Sequence, residues 1–296
     1  MKRNKINPKL SLRIQPANKK NRRKKVSIQK DSFSIQSSKK TEEKKIDRLS
    51  MGPSTSRKKK KIIVISKKIP NDVAKMKDKY IDSKRYKKLS KWKNILKGHT
   101  VFLLGNSPSI VKHDLSLLNN YFTIGINRIF FIYEPTVLFW QDRQMWITDK
   151  KNLIKCKSIR VCRDLADPRD MFLNFKLGLN PFRFTMKPQQ MYGRGNSGAV
   201  AASFAVSMGC SSIVILGMDC KYSKGKTDFY GNNKDHTKYT LNRCREAMEW
   251  LKKKCPVPIY NCSKIDLWPQ RKLPDVINEI KPKKCDKRFF SKLVEK

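Results

Sequence analysis

The sequence predicts an α/β fold in which a mostly parallel sheet is flanked by helices, behind a disordered basic N-terminal extension. Three observations predict it. Short, continuous apolar runs end abruptly in glycine or polar residues, as buried parallel strands do. Segments of helical periodicity lie between several of them. The composition also changes near residue 100. The chain has 296 residues, 68 basic and 24 acidic, for a formal charge of +44. Residues 1–100 hold 34 of the basic and 7 of the acidic side chains, a net +27. That segment has too much like charge and too few large apolar residues to fold in full.

Residues 1–60 read as a low-complexity tail, with like-charge runs at 21–25 and 57–61. Such a tail is either simply solvated or an electrostatic tether to nucleic acid or another anionic surface. Phe33 alone interleaves an aromatic with these charges, so base stacking is not indicated. Residues 61–98 read as a basic linker, with a short β-rich run at 62–66 and a Lys-rich helix over 71–96 that covers the core weakly. A domain follows over 99–280, then a basic C-terminal tail over 281–296.

Within the domain the expected strands are 101–104, 122–126, 136–140, 159–162, 182–185, 213–216 and 257–260. Helices are expected over 197–208 and 236–254. In the latter, Leu241, Cys244, Ala247, Met248 and Leu251 share one face. The uncharged run 195–218 has membrane-span length, but its four glycines and changing pattern read as a buried helix plus a buried strand. The N-terminus has no apolar stretch of the secretory type, so a cytoplasmic location is expected, in a host cytoplasm if the chain is phage-encoded. Eight cysteines without a CxxC pair read as free thiols, and no metal site is expected.

Candidate site residues gather at expected strand ends, where open parallel sheets bind ligands. Gly105-Asn106-Ser107-Pro108-Ser109 follows VFLL. Its backbone N–H groups and short polar side chains suit a phosphate or ribose, and a plain turn is the alternative. Asn127 closes the second strand, and Gln141-Asp142 the third. Gly193-Arg194-Gly195-Asn196-Ser197-Gly198 matches G-x-G-x-x-G, with Asp219 21 positions further on. A nicotinamide fingerprint should follow a strand directly, whereas MKPQQMY separates these glycines from the expected strand FRFT. An anion at the following helix N-terminus, partnered by Arg194, reads better, with a structural helix entry as the alternative. Asp219 at a strand end could accept from a ligand hydroxyl, cap a turn or pair with a lysine. His236, opening the long helix, suits a general base.

Taken together, VFLLGNSPS, IGINRIF, GNSGAVAASFAVSMGCSSIVILGMD and a downstream His before a helix resemble one group. It comprises the bacterial sialyltransferases of glycosyltransferase family 42, the flagellin-modifying motility accessory proteins and the 6-hydroxymethylpterin diphosphokinase-like proteins. The resemblance spans about residues 100–270, and similar chains occur in phage genomes. It implies a Rossmann-like domain that transfers a sugar from a nucleotide-activated, CMP-sialic-acid-like donor to an unknown glycan or other hydroxyl acceptor, without a metal cofactor. Self-association is left open.

By the same resemblance, nucleotide binding falls to Gly105, Asn106, Pro108, Ser109, Asn127, Ser197 and Gly198. Tyr222 and Tyr230 support the departing phosphate, and His236 is the base. Ser107 stands where the family's loop has a second glycine. Residues 143–190 would form an acceptor-side lid. Two other readings compete. A diphosphokinase-like enzyme would use ATP and Mg²⁺ through carboxylates such as Asp142 or Asp219. A non-catalytic nucleotide-binding or assembly protein would reach nucleic acid through the basic tail.

Overall fold

A computed structural model describes residues 84–286, apart from 168, 179–181, 194–195 and 234–235, together with Phe290. All of these belong to one compact unit, Ile65–Lys296. The expected N-terminal tail, the run at 62–66 and the first part of the 71–96 helix lie outside the described residues.

The apolar runs form strands because both of their faces are covered, so no polar alternation is needed. The strands are β1 (Thr100–Leu104), β2 (Phe122–Ile126), β3 (Val137–Trp140), β4 (Ile159–Arg163), β5 (Leu173–Gly178), β6 (Gln190–Tyr192), β7 (Ser212–Leu216) and β8 (Ile259–Asn261). They form one eight-stranded sheet in the order β6-β5-β4-β3-β2-β1-β7-β8. Every neighbouring pair is parallel. The chain leaves β1 toward β2 on one side and leaves β7 toward β8 on the other. The switch point therefore falls between β1 and β7.

Alternate residues of each strand serve two cores. Val101, Leu103, Ile124 and Phe139 face a layer that includes α3 (Ser197–Ser207) and α4 (Lys238–Lys254). Phe102, Leu104, Leu138 and Trp140 face α2 (Arg143–Lys155) and α5 (Leu273–Ile280). Ten of the eleven α3 residues are buried, so it is a central helix with no wet face. The uncharged run at 195–218 thus resolves into α3 and β7. No helix among the described residues is long and apolar enough to cross a membrane.

Four expectations are corrected. The 71–96 segment does not cover the core weakly. Its described part, α1 (Lys84–Ser90) and the turns after it, buries Tyr86, Leu89, Trp92 and Leu96 completely, and Trp92 stacks on Phe204 of α3. No strand forms at 182–185. Phe182 and Phe184 are apolar because they pack on Trp250 of α4, with ring centroids 5.0 and 4.9 Å apart. The strands in that region are β5 and β6, whose mixed sequences LNFKLG and QMY hid them. Segment 143–190 is not a lid throughout, since its described residues supply α2, β4, β5 and the first residue of β6. Finally, α4 begins at Lys238 and not at His236, because the Thr237 hydroxyl accepts from Thr240 N–H and caps it. Beyond residue 280, Cys285 and Phe290 are buried, and Phe290 packs edge-on against Phe122.

Candidate functional site

The ends of β1 and β7 are fastened together by backbone and side chain. Gly105 N–H donates to Leu216 C=O and Ser107 N–H to Gly217 C=O, at 2.8 and 2.9 Å. A Cβ at position 105 would overlap the Gly217 carbonyl oxygen, so only glycine lets the strand ends approach this closely. Gly217 itself has φ +63, which glycine adopts without strain. Asp219 closes the junction. It accepts from Ser109 Oγ at 2.6 Å and from Lys264 N–H at 2.8 Å, and its own N–H donates to Ser107 Oγ at 3.0 Å.

A cavity of about 270 Å³ opens above the carboxyl ends of the strands at this switch point. Gly105, Asn106, Asn127, Asp142, Ser197, Gly198 and His236 line it, so seven of the residues picked out in the sequence meet in one place. Asn106 Nδ2 donates to Ile126 C=O at 3.0 Å, which ties the first loop to β2. Asn106 Oδ1 and Asn127 Oδ1 are buried acceptors with no partner among the described residues. Asn127 sits at φ +49, which turns its side chain out of the strand. Gln141 Nε2 donates to Ser197 Oγ at 2.9 Å and joins the third strand end to α3.

His236 stands just before α4. Its Nδ1 lies 3.0 Å from Asp228 Oδ2, and Asp228 is 2% exposed. Thr227 Oγ1 donates to that same carboxylate at 3.0 Å. The loop carrying Asp228 is held in place by Phe229 N–H, which donates to Asn106 C=O at 2.7 Å. A second cavity, of about 500 Å³, adjoins the first. Asn127, Asp142, His236 and Cys244 belong to both walls. Tyr230 and Arg128 line the second cavity, with the Arg128 guanidinium 5.2 Å from the ring centroid of Tyr230. Burial, helped by the Asp228 carboxylate, pushes the Tyr230 hydroxyl up to about 12 against the opposing pull of Arg128. Tyr230 is therefore a hydrogen-bond donor throughout the neutral range.

Several expected site residues stand elsewhere. Pro108, Ser109, Asp219 and Tyr222 line neither cavity. Ser109 and Asp219 are spent on each other, and Asp219 is 1% exposed, so it is a structural clamp and not a ligand acceptor. The Tyr222 hydroxyl donates to His236 C=O at 2.9 Å, so it braces the histidine's backbone. Arg194 lies outside the described residues. An anion at the start of α3 is disfavoured, because the Asn196 side chain already accepts from Gly198 N–H and Ala199 N–H, at 2.7 and 3.2 Å. The glycines do follow a strand directly, namely β6. That strand is the sheet's outer edge, however, so a dinucleotide fingerprint at the switch point is not formed.

Asp228, Thr227 and Arg163 also line the cavity and were not picked out in the sequence, Asp228 and Thr227 because they sit in a loop without a motif. Gln141 was marked there only as a polar strand end. Among the described residues, no group of three or more His, Cys, Asp or Glu is placed to hold a metal ion.

The fold and cavity define a parallel α/β protein with a cleft at its switch point. No protein family and no curated protein matches the chain. Among solved structures it is similar to the sialyltransferase CST-II in complex with a trisaccharide acceptor and CMP. Identity is 16% and the TM-score 0.35, over 55% of this chain and 80% of that one.

Proposed function

We propose that this chain is a glycosyltransferase that moves a sugar from a nucleotide-activated, CMP-sialic-acid-like donor to a hydroxyl acceptor, with His236 as general base. The observation that carries this reading is the His236–Asp228 pair at the switch point of the sheet, with His236 in the wall common to two cavities and Asp228 in the wall of the first. The motif order described above supports the choice of reaction class.

In this reading Asp228 beside Nδ1 selects the tautomer whose Nε2 carries the lone pair that accepts the proton. The acceptor hydroxyl gives its proton to Nε2 while its oxygen bonds to the anomeric carbon. The bond from that carbon to the donor phosphate breaks, and a nucleoside monophosphate leaves. The imidazolium that forms is stabilised by Asp228. We assign the phosphate's growing charge to the Tyr230 hydroxyl and the Arg128 guanidinium, both in the wall of the second cavity. Asn106 and Asn127 offer unpaired acceptors to nucleoside hydroxyls or an exocyclic amine. The reading invokes no metal.

The test is His236→Ala, assayed for transfer and for nucleotide binding by titration calorimetry with CMP, UMP, GDP and ATP, with and without Mg²⁺. Transfer should fall at least 100-fold, the lower range for a lost general base, with CMP affinity within about threefold. Unchanged turnover would remove His236 from the mechanism. ATP binding that requires Mg²⁺ would favour diphosphoryl transfer instead.

A further inference from the structure

The first cavity extends beyond the switch point, across the ends of β2 and β3 to β4, where Arg163 lines it. The register Trp140↔Cys162 places Arg163 level with Gln141, one strand beyond the Asp142 loop. Neighbouring strands lie about 4.8 Å apart, so Arg163 stands roughly 14 Å from the β1 loop. It is the one Arg or Lys among the described residues lining this cavity.

Among the described residues, no hydrogen bond or ion pair reaches the Arg163 side chain, and its Nε is buried without a partner. The nearby carboxylates in sequence are committed elsewhere. Asp164 accepts from the Tyr86 hydroxyl and from Leu165 N–H, at 2.7 and 2.8 Å. Asp167 accepts from Phe172 N–H and from Asn174 Nδ2, both at 2.9 Å. Asp170 pairs with Arg85 at 2.7 Å. Of the two carboxylates among the described residues lining the cavity, Asp228 pairs with His236, and Asp142 forms no ion pair with Arg163. An unpaired guanidinium with a buried Nε is unfavourable, and an oxyanion would satisfy it through charge-assisted bonds.

We propose that Arg163 is the anion-recognition residue of the cavity and binds a carboxylate or phosphate oxygen of the ligand at the β4 end. This rests on the glycosyltransferase reading for the identity of the ligand, but not for its charge. Two sources of the anion are compatible with that placement: the donor's phosphate, or an acidic group on the sugar being transferred. In either case Arg163 makes the site select acidic ligands over neutral analogues of the same size.

The experiment compares the full-length wild type with Arg163→Gln and Arg163→Lys. Titration calorimetry is run with cytidine, CMP and CMP-N-acetylneuraminate. Thermal stabilisation is read with inorganic phosphate and with free N-acetylneuraminate. Loss of one charge-assisted contact should weaken the anionic ligand by about tenfold or more in Arg163→Gln, with cytidine unchanged. The Lys variant should recover part of the loss, since it keeps the charge but not the fork. An equal loss for CMP and CMP-N-acetylneuraminate assigns the anion to the phosphate. A loss confined to CMP-N-acetylneuraminate assigns it to the sugar carboxylate. Both support the proposal. Equal affinities in wild type and Arg163→Gln for every anionic probe, or a matching loss for cytidine, would overturn it.

If no nucleotide binds the wild type, the glycosyltransferase reading fails. The Arg163 proposal is then decided by the two free anions: stabilisation lost in Arg163→Gln supports it, and none in the wild type overturns it. Arg163→Gln should unfold no earlier than the wild type without ligand, because it removes an unpaired charge.

Discussion

Asp228 has no role in any sequence motif, yet it is the residue whose removal should separate catalysis from binding most cleanly. It lines the cavity beside Cys220 and Thr227, and under the proposed mechanism it acts through His236, 3.0 Å away. Asp228→Asn keeps the shape and loses the charge that selects the tautomer. The expected outcome is a fall in kcat of about 100-fold or more with nucleotide Kd within about threefold. The pH profile should change with it. A parallel loss of nucleotide affinity would recast Asp228 as part of the binding wall. Gly105 poses a different kind of test. A Cβ there overlaps the Gly217 carbonyl oxygen, so Gly105→Ala must push β1 and β7 apart at the junction closed by Asp219. Destabilisation of about 1–3 kcal/mol in urea unfolding is expected, the range for overpacking. Gly105, Asn106, Asn127, Ser197 and His236 were legible because strand ends and a helix entry mark them in one dimension. Asp228 and Arg163 were not, because what makes them candidates is the strand or loop that lies opposite.

At the scale of elements, α3 is decided by composition and its entrance by one side chain. Asn196 Oδ1 accepts from Gly198 and Ala199 N–H, and its Nδ2 donates to Cys244 C=O on α4 at 2.9 Å. One residue therefore caps one helix and ties it to another. Asn196→Ala should cost about 1 kcal/mol for the cap and more for the lost tie, read as a lower urea midpoint. An unchanged midpoint would show the cap to be dispensable. The strands with continuous apolar runs, β1, β2, β3 and β7, were read within one residue at either end. β5 escaped because its Asn174 is fully buried for a reason that sequence does not show. It holds Asp167 and Phe172 C=O in a polar knot with Arg85. The FRFT segment misled in the opposite way: its alternation is real, but the phenylalanines pack on a helix.

For the molecule as a whole, the buried thiols make a prediction about pH. Burial raises Cys210 from an ordinary 9.0 to about 12, with Cys255 adding to the effect. Cys244 and Cys262 rise to about 11, again through burial first. The native state thus holds these protons after the unfolded chain has released them, so stability falls as pH rises through the window. The contribution is fully present below about pH 9. Compared with Cys210→Ala, the wild type should lose up to about 1.4 kcal/mol per pH unit between pH 9 and 12. Parallel pH profiles for the two proteins would refute the assignment. His113 acts at the other end. Burial lowers its pKa, so its contribution is present above 6.5 and lost on acidification. At pH 7 the folded protein's buried thiols should react slowly with disulfide reagents, because little thiolate is present.

By itself the sequence determined that this chain builds a parallel α/β sheet, where several of its strands and two of its helices lie, and which loops stand at strand ends. Those features follow from local burial patterns, helical periodicity and chain-breaking residues, each written in consecutive positions. Only the tertiary structure decided what the loops do. Strand order placed β7 beside β1, which consumed Asp219 in a clamp with Ser109 and Lys264. It also brought Asp228 to His236 and Arg163 to the far end of the cavity. Whether a carboxylate is a clamp, a base's partner or a ligand site depends on what faces it in space. That is set by strand order and loop closure, which are long-range properties of the fold.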